Sequence, residues 1–192
     1  MSAQLQRLLS PEEYLAIERD TTAKHEFYRG EMFAMGGASR EHNLITGNVA
    51  ASIHQQIAGR PCESYQNDMR VKVASTGLYT YPDVVVTCEK PRFEDDNFDT
   101  LLNPQLIAEV LSDSIEKYDR GKKFEHYRQI DSLREYLLIS QDRPHVELFT
   151  RDAGGQWTLS EATGLDAAIE LPVIGCRLAL ADVYAKVGWA TP

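Results

Sequence analysis

The sequence predicts an α/β protein, a mixed β-sheet flanked by helices with added β-hairpins, and three observations carry that reading. Apolar runs at residues 82–88, 106–111 and 134–140 have the length and residue types of buried strands. Residues 38–58 place Ile45, Val49, Ile53 and Ile57 at four-residue steps, the period of an amphipathic helix. Of the 192 residues 43% are hydrophobic and 26% charged, a balance that supports a buried core and excludes a disordered chain.

Each element has a local reason. Ser10-Pro11-Glu12-Glu13 sets a cap, a proline suited to the first helical turn and a Glu three after the cap, so a short helix follows through Tyr14, Leu15 and Ile17. Residues 25–35 read as two β-type runs about Arg29-Gly30, a hairpin closed by Gly36-Gly37. The helix over 38–58 stops before Gly59-Arg60-Pro61. Two β-type segments follow, at 63–73 and 82–88. The acidic, proline-bounded stretch 89–103 reads as a surface excursion. After the strand at 106–111 come a helix over about 114–130, the strand at 134–140, and a hairpin of 145–151 with 156–161 turned by Asp152-Ala153-Gly154-Gly155. Residues 178–187 read as a closing helix. No repeat or linker divides the chain, so residues 1–192 are expected to form one domain.

Charge constrains partners. Twenty Lys and Arg against 29 Asp and Glu give a net charge of -9, which opposes passive adsorption to nucleic acid or anionic lipid. A polyanion would have to be captured by a local basic patch or through metal ions. The three cysteines, Cys62, Cys88 and Cys176, suggest neither a disulfide framework nor a CxxC site. The first ten residues lack a signal-peptide core and no run reaches membrane length, so a cytoplasmic protein with no membrane partner is expected.

Asp83 opens one apolar run and Glu109 interrupts another. Burying a bare carboxylate costs several kcal/mol, roughly, so such a group is paired, protonated or bound to metal. Taken singly, Asp83 reads first as a turn residue at a strand start and Glu109 as a solvent-facing residue on an edge strand, ahead of a metal site. With 25 residues between them the two strands can lie side by side, and two carboxylates there suit an oxygen site for Mg²⁺. In the following helix Asp119, Lys123 and Tyr127 recur every four residues and share a face. An ordinary surface ion pair is the alternative for Asp119 and Lys123. His42 lies on the inner face of its helix, where a packed, hydrogen-bonded histidine and a site member are both open readings. No HExxH pair, phosphate loop or Gly-x-Ser-x-Gly elbow occurs.

Pro82-Asp83 followed by Glu109-Val110-Leu111 resembles the PD-(D/E)XK nuclease signature. More closely, an ordered set of stretches resembles the Uma-type family of restriction-endonuclease-like proteins. The set is His25-Glu26 with Arg29-Gly30-Glu31, Glu41-His42-Asn43, Tyr81-Pro82-Asp83-Val84, Glu109-Val110-Leu111-Ser112, Tyr118-Asp119 with Lys123-Phe124 and Tyr127, and Arg134-Glu135-Tyr136.

The resemblance implies a restriction-endonuclease-like core, Mg²⁺-dependent cleavage of DNA with Mn²⁺ as a substitute, and homodimerisation. It implies metal ligation by Asp83, Glu109 and a main-chain carbonyl near Val110. Leu111 stands where the wider signature has its lysine, which this family takes from the following helix; Lys123 matches that position, and Lys122 points about 100° away on an ideal helix. Glu41 is the nearest match for an additional acidic residue, with Glu26 as its rival, while Asp119, His42 and Tyr127 would support the site. DNA would be met by the basic helix bearing Lys117, Arg120, Lys122, Lys123 and Arg128. A catalytically weak nuclease-fold module for DNA binding or protein interaction is the alternative.

Overall fold

Two β-sheets stacked through a shared apolar layer organise the chain, and the candidate residues gather at one end of that layer. The computed structural model describes residues 7–112 and 116–188. The main sheet has the order β11-β10-β9-β8-β6-β3. Its centre is built from β6 (Val84–Thr87), β8 (Leu106–Leu111) and β9 (Glu135–Ser140), with β3 (Glu63–Gln66) at one edge. At the other end lie β10 (His145–Arg151) and β11 (Trp157–Thr163). β8 and β9 are parallel, joined across a helical connection, whereas β6 runs antiparallel to β8. The second sheet has the order β2-β1-β5-β4-β7. It comprises β1 (His25–Tyr28), β2 (Glu31–Ala34), β4 (Arg70–Val73), β5 (Leu78–Thr80) and β7 (Thr100–Leu101).

Alternation along the strands assigns each face. Val84, Val86, Leu106, Ala108, Val110, Leu137 and Ile139 face helix α2 (Arg40–Ile57), where Ile45, Val49 and Ile53 are fully buried. Val85, Ile107, Leu111, Tyr136 and Leu138 face the second sheet and meet Val71, Val73, Leu78 and Leu101. Helix α1 (Pro11–Asp20) closes that sheet's far face, with Tyr14 stacked on Phe27 at 4.7 Å between ring centroids. The expected capping box starts α1: Ser10 Oγ accepts from Glu13 N–H and Glu13 Oε2 from Ser10 N–H.

Several expectations need correction. The segment 63–73 is two strands in different sheets, broken at Asn67, whose φ is +60°. The expected excursion 89–103 is tied down: Arg19 binds both Asp95 and Asp99, Arg70 binds Asp99, and Leu101 is fully buried in β7. Much of that loop's acidity is therefore neutralised within the protein. In place of a closing helix, β13 (Cys176–Ala179) pairs with β12 (Ala168–Leu171) ahead of a single turn, α5 (Leu180–Val183). The strand period holds there because Cys176 and Leu178 are buried while Arg177 is exposed. Contrary to the reading of three unlinked cysteines, Cys62 and Cys88 form a disulfide that continues the β3/β6 pairing; Cys176 is free and buried. No helix among the described residues is long and apolar enough to cross a membrane.

Candidate active site

Asp83 and Glu109 flank the β6/β8 register, in which Val84 pairs with Ala108. Both carboxylates therefore leave the face that Val85 and Ile107 use, at the end where the apolar layer opens. Asp83 is held from two directions. His42 Nε2 donates to its Oδ1 at 2.8 Å, and Val110 N–H donates to its Oδ2 at 2.7 Å. The helix cap sets the first contact, since Ser39 Oγ accepts from the His42 backbone N–H at 3.0 Å and fixes the first turn of α2. Glu109 is 3% exposed, so it does not face solvent.

The connection from β8 to β9 supplies the cation. It comprises α3 (Glu116–Tyr118), a π-helical turn (Asp119–Lys123) and α4 (Phe124–Tyr127); the expected start at residue 114 lies outside the described residues. Such turns recur at functional sites because widening the helix re-aims its side chains. Lys123 is 4% exposed, and its Nζ lies 2.9 Å from Glu109 Oε1, 3.4 Å from Glu26 Oε1 and 3.5 Å from Asp119 Oδ1. Tyr127 is fully buried and its hydroxyl donates to Glu109 Oε1 at 2.8 Å. Lys122 is exposed and turned away.

Of the two additional acids considered, Glu26 is brought to this cluster and Glu41 is not. Glu26 accepts from the Thr80 and Tyr118 hydroxyls as well as meeting Lys123, whereas Glu41 pairs with its neighbour Arg40. Thr80 and Tyr118 as holders of Glu26 escaped the sequence reading. Tyr118 had a signal in its place beside Asp119, while Thr80, at the end of a three-residue strand, had none. The basic helix is divided. Lys117, Lys122 and Arg128 are exposed, Arg120 is bound by Glu116 and Glu147, and Lys123 is inside.

Three carboxylates, Glu109, Glu26 and Asp119, surround one ammonium. Burial pushes the Glu109 carboxyl above its ordinary value, with Asp119 and Asp83 adding to the rise and Lys123 opposing it. It raises Asp119 as well for the same first reason, with Lys123 opposing. Desolvation alone would lower the Lys123 ammonium, but Glu109, Glu26 and Asp119 together carry it well above its ordinary value. Among the described residues neither buried Asp119 side-chain oxygen has a hydrogen-bond donor, its nearest cation being Lys123 Nζ at 3.5 Å from Oδ1. Surplus negative charge, orphaned carboxylate oxygens and an all-oxygen donor set fit a hard divalent cation. These groups line a cavity of about 770 Å³, open to solvent.

The two sheets and their flanking helices place the chain in the mixed α/β class. Residues 11–181 match the model of the Uma2 family, described as "Putative restriction endonuclease", and the chain belongs to that family. It is 42% identical over 164 residues to the "Uncharacterized protein sll1609" of Synechocystis sp., covering 85% of this chain and 93% of that protein. Identity to "Uncharacterized protein slr1290" of the same organism is 36% over 176 residues, covering 92% and 91%. The crystal structure of "a putative nuclease belonging to DUF820" from Anabaena variabilis matches with a TM-score of 0.74 at 18% identity, over 91% of this chain and 96% of that one. That likeness shows a shared α/β fold of mixed sheets flanked by helices.

Proposed function

We propose that this chain is a divalent-metal-dependent nuclease hydrolysing DNA phosphodiester bonds. One observation carries the reading: a buried lysine from the connection after β8 reaches 2.9 Å from a strand carboxylate whose neighbour across the sheet is a second carboxylate. Asp83, Glu109 and the main-chain carbonyl of Val110 would hold Mg²⁺, or Mn²⁺ in its place. The bound ion would polarise the scissile phosphate and lower the pKa of a coordinated water.

The chain's own residues do the rest. Lys123 Nζ orients the attacking water and offsets charge developing on the phosphate. Glu26 and Asp119 keep that ammonium charged and in place, and Tyr127 fixes the oxygen of Glu109 facing it. His42 and the Val110 N–H hold the Asp83 carboxylate in one orientation. The exposed Lys117, Lys122 and Arg128 offer cations to the DNA backbone. A homodimer would set two such centres side by side, and sedimentation equilibrium reads it directly.

The test is cleavage of plasmid and oligonucleotide DNA with Mg²⁺ or Mn²⁺ by the wild type, Asp83→Ala and Lys123→Ala. Cleavage lost in both variants is expected. Cleavage surviving in both overturns the assignment.

A further inference from the structure

Phe33 is a large aromatic side chain outside every apolar cluster of the protein, 47% exposed at the mouth of the candidate active site. The pleat of β2 puts it there. Met32 turns inward against the α1 cluster, so its neighbour Phe33 must turn outward. The β1/β2 register pairs Phe33 directly with Glu26, and opposed residues share a face. Glu26 in turn meets Lys123 at 3.4 Å. The exposed ring is thus one side chain removed from the ammonium of the centre.

The surroundings favour one kind of occupant. Met35, 38% exposed, continues the apolar surface along the same cavity wall. Beyond it Gly36 and Gly37 leave the rim low, and a Cβ added to either would meet nothing within 4 Å. Five carboxylates and two lysines line the cavity, and Lys24 already binds Asp68 while Lys123 is enclosed by acids. Two phosphate rows of a rigid duplex would find few free cations at this mouth. An unpaired base offers its π-face to an aromatic ring whatever the base, a contact worth about 1–3 kcal/mol, and a single strand brings one phosphate row where a duplex brings two.

We propose that Phe33, continued by Met35, is a stacking platform for an unpaired nucleobase, so that the strand to be cut enters the cavity single-stranded. The inference rests on the nuclease reading for its ligand class. It differs from that reading in assigning a binding subsite and a strand preference.

The experiment uses the full chain with Ca²⁺ in place of Mg²⁺ and a short DNA oligonucleotide bearing 2-aminopurine, offered single-stranded and as a duplex. The wild type is expected to prefer the single strand and to quench 2-aminopurine emission by stacking. Phe33→Ala should weaken single-strand binding about 5- to 150-fold and abolish the quench, with duplex affinity unchanged. Phe33→Tyr should retain both, and equal melting temperatures exclude a folding defect.

Unchanged affinity and emission in Phe33→Ala, or a wild type that prefers duplex, overturns the proposal. So does a wild-type dimer that Phe33→Ala converts to monomer without loss of DNA affinity, which would give the ring to a second copy. A quench lost in Phe33→Ala but no cleavage with Mg²⁺ would sink the nuclease reading and leave the subsite standing. Cleavage lost in Asp83→Ala with no Phe33 effect would do the reverse.

Discussion

Lys123 Nζ lies 2.9 Å from Glu109 Oε1, and both side chains are nearly excluded from solvent. Neither could be buried alone without a penalty of several kcal/mol, roughly, so the pair is held as a unit with Tyr127, Glu26 and Asp119 around it. Lys123→Met should therefore destabilise the fold by about 3–5 kcal/mol in urea denaturation. Lys123→Met combined with Glu109→Gln should recover part of that loss, because the second change removes the stranded charge. A double variant as unstable as the sum of the singles would refute the coupling.

His42 meets Asp83 from the opposite layer at 2.8 Å. Groups that orient a metal-binding carboxylate typically matter about 10- to 100-fold in metal affinity or activity. His42→Ala is expected to lower kcat within that range and to raise the Mg²⁺ concentration for half-activity, leaving KM for DNA near its original value. Full activity at limiting Mg²⁺ would remove His42 from the site.

Glu135 is fully buried, and its Oε1 accepts from Val173 N–H at 3.0 Å. Burial pushes its carboxyl from an ordinary 4.5 up to about 7, against the pull of that loop's backbone N–H groups. The folded chain therefore holds this proton more tightly than the unfolded chain, and its contribution to stability falls as pH rises from about 4.5 to 7. Glu135→Gln keeps the accepting oxygen and removes the charge. It should exceed the wild type in stability by about 1–3 kcal/mol at pH 8 and match it near pH 4. A constant difference across that range would show that Glu135 does not titrate as its burial requires.

The Cys62–Cys88 disulfide closes a loop spanning 26 positions of sequence. Constraining the unfolded chain over such a loop contributes about 3 kcal/mol. Added dithiothreitol, or Cys62→Ser with Cys88→Ser, should lower the urea midpoint accordingly. Equal midpoints with and without reductant would argue that the bond is not formed in solution.

How legible these features were in the sequence depended on whether local pattern or tertiary pairing determined them. Asp83 and Glu109 stood out because each breaks an apolar run, and Lys123 because it repeats with Asp119 and Tyr127 along one helical face. The choice between Glu26 and Glu41 could not be made locally. It turns on β1 belonging to a second sheet whose inner face meets the main one, and that sheet was hidden. Its β5 is three residues long, and β4 reads as continuous with β3 until the turn at Asn67 sends it elsewhere. The disulfide was invisible for a related reason: only the β3/β6 register, with Glu63 opposite Thr87, carries Cys62 to Cys88. Arg19 and Arg70 likewise sit far in sequence from the aspartates that they neutralise.

The placement of His42 ties the site to the docking of two separate layers. The helix bearing it packs on one face of the main sheet, Glu26 comes from a sheet on the other face, and Asp83 and Glu109 lie between them. A nascent or partly unfolded chain with either layer undocked would lack part of the constellation. Under the nuclease reading proposed above, competence to cut would then depend on both layers having docked.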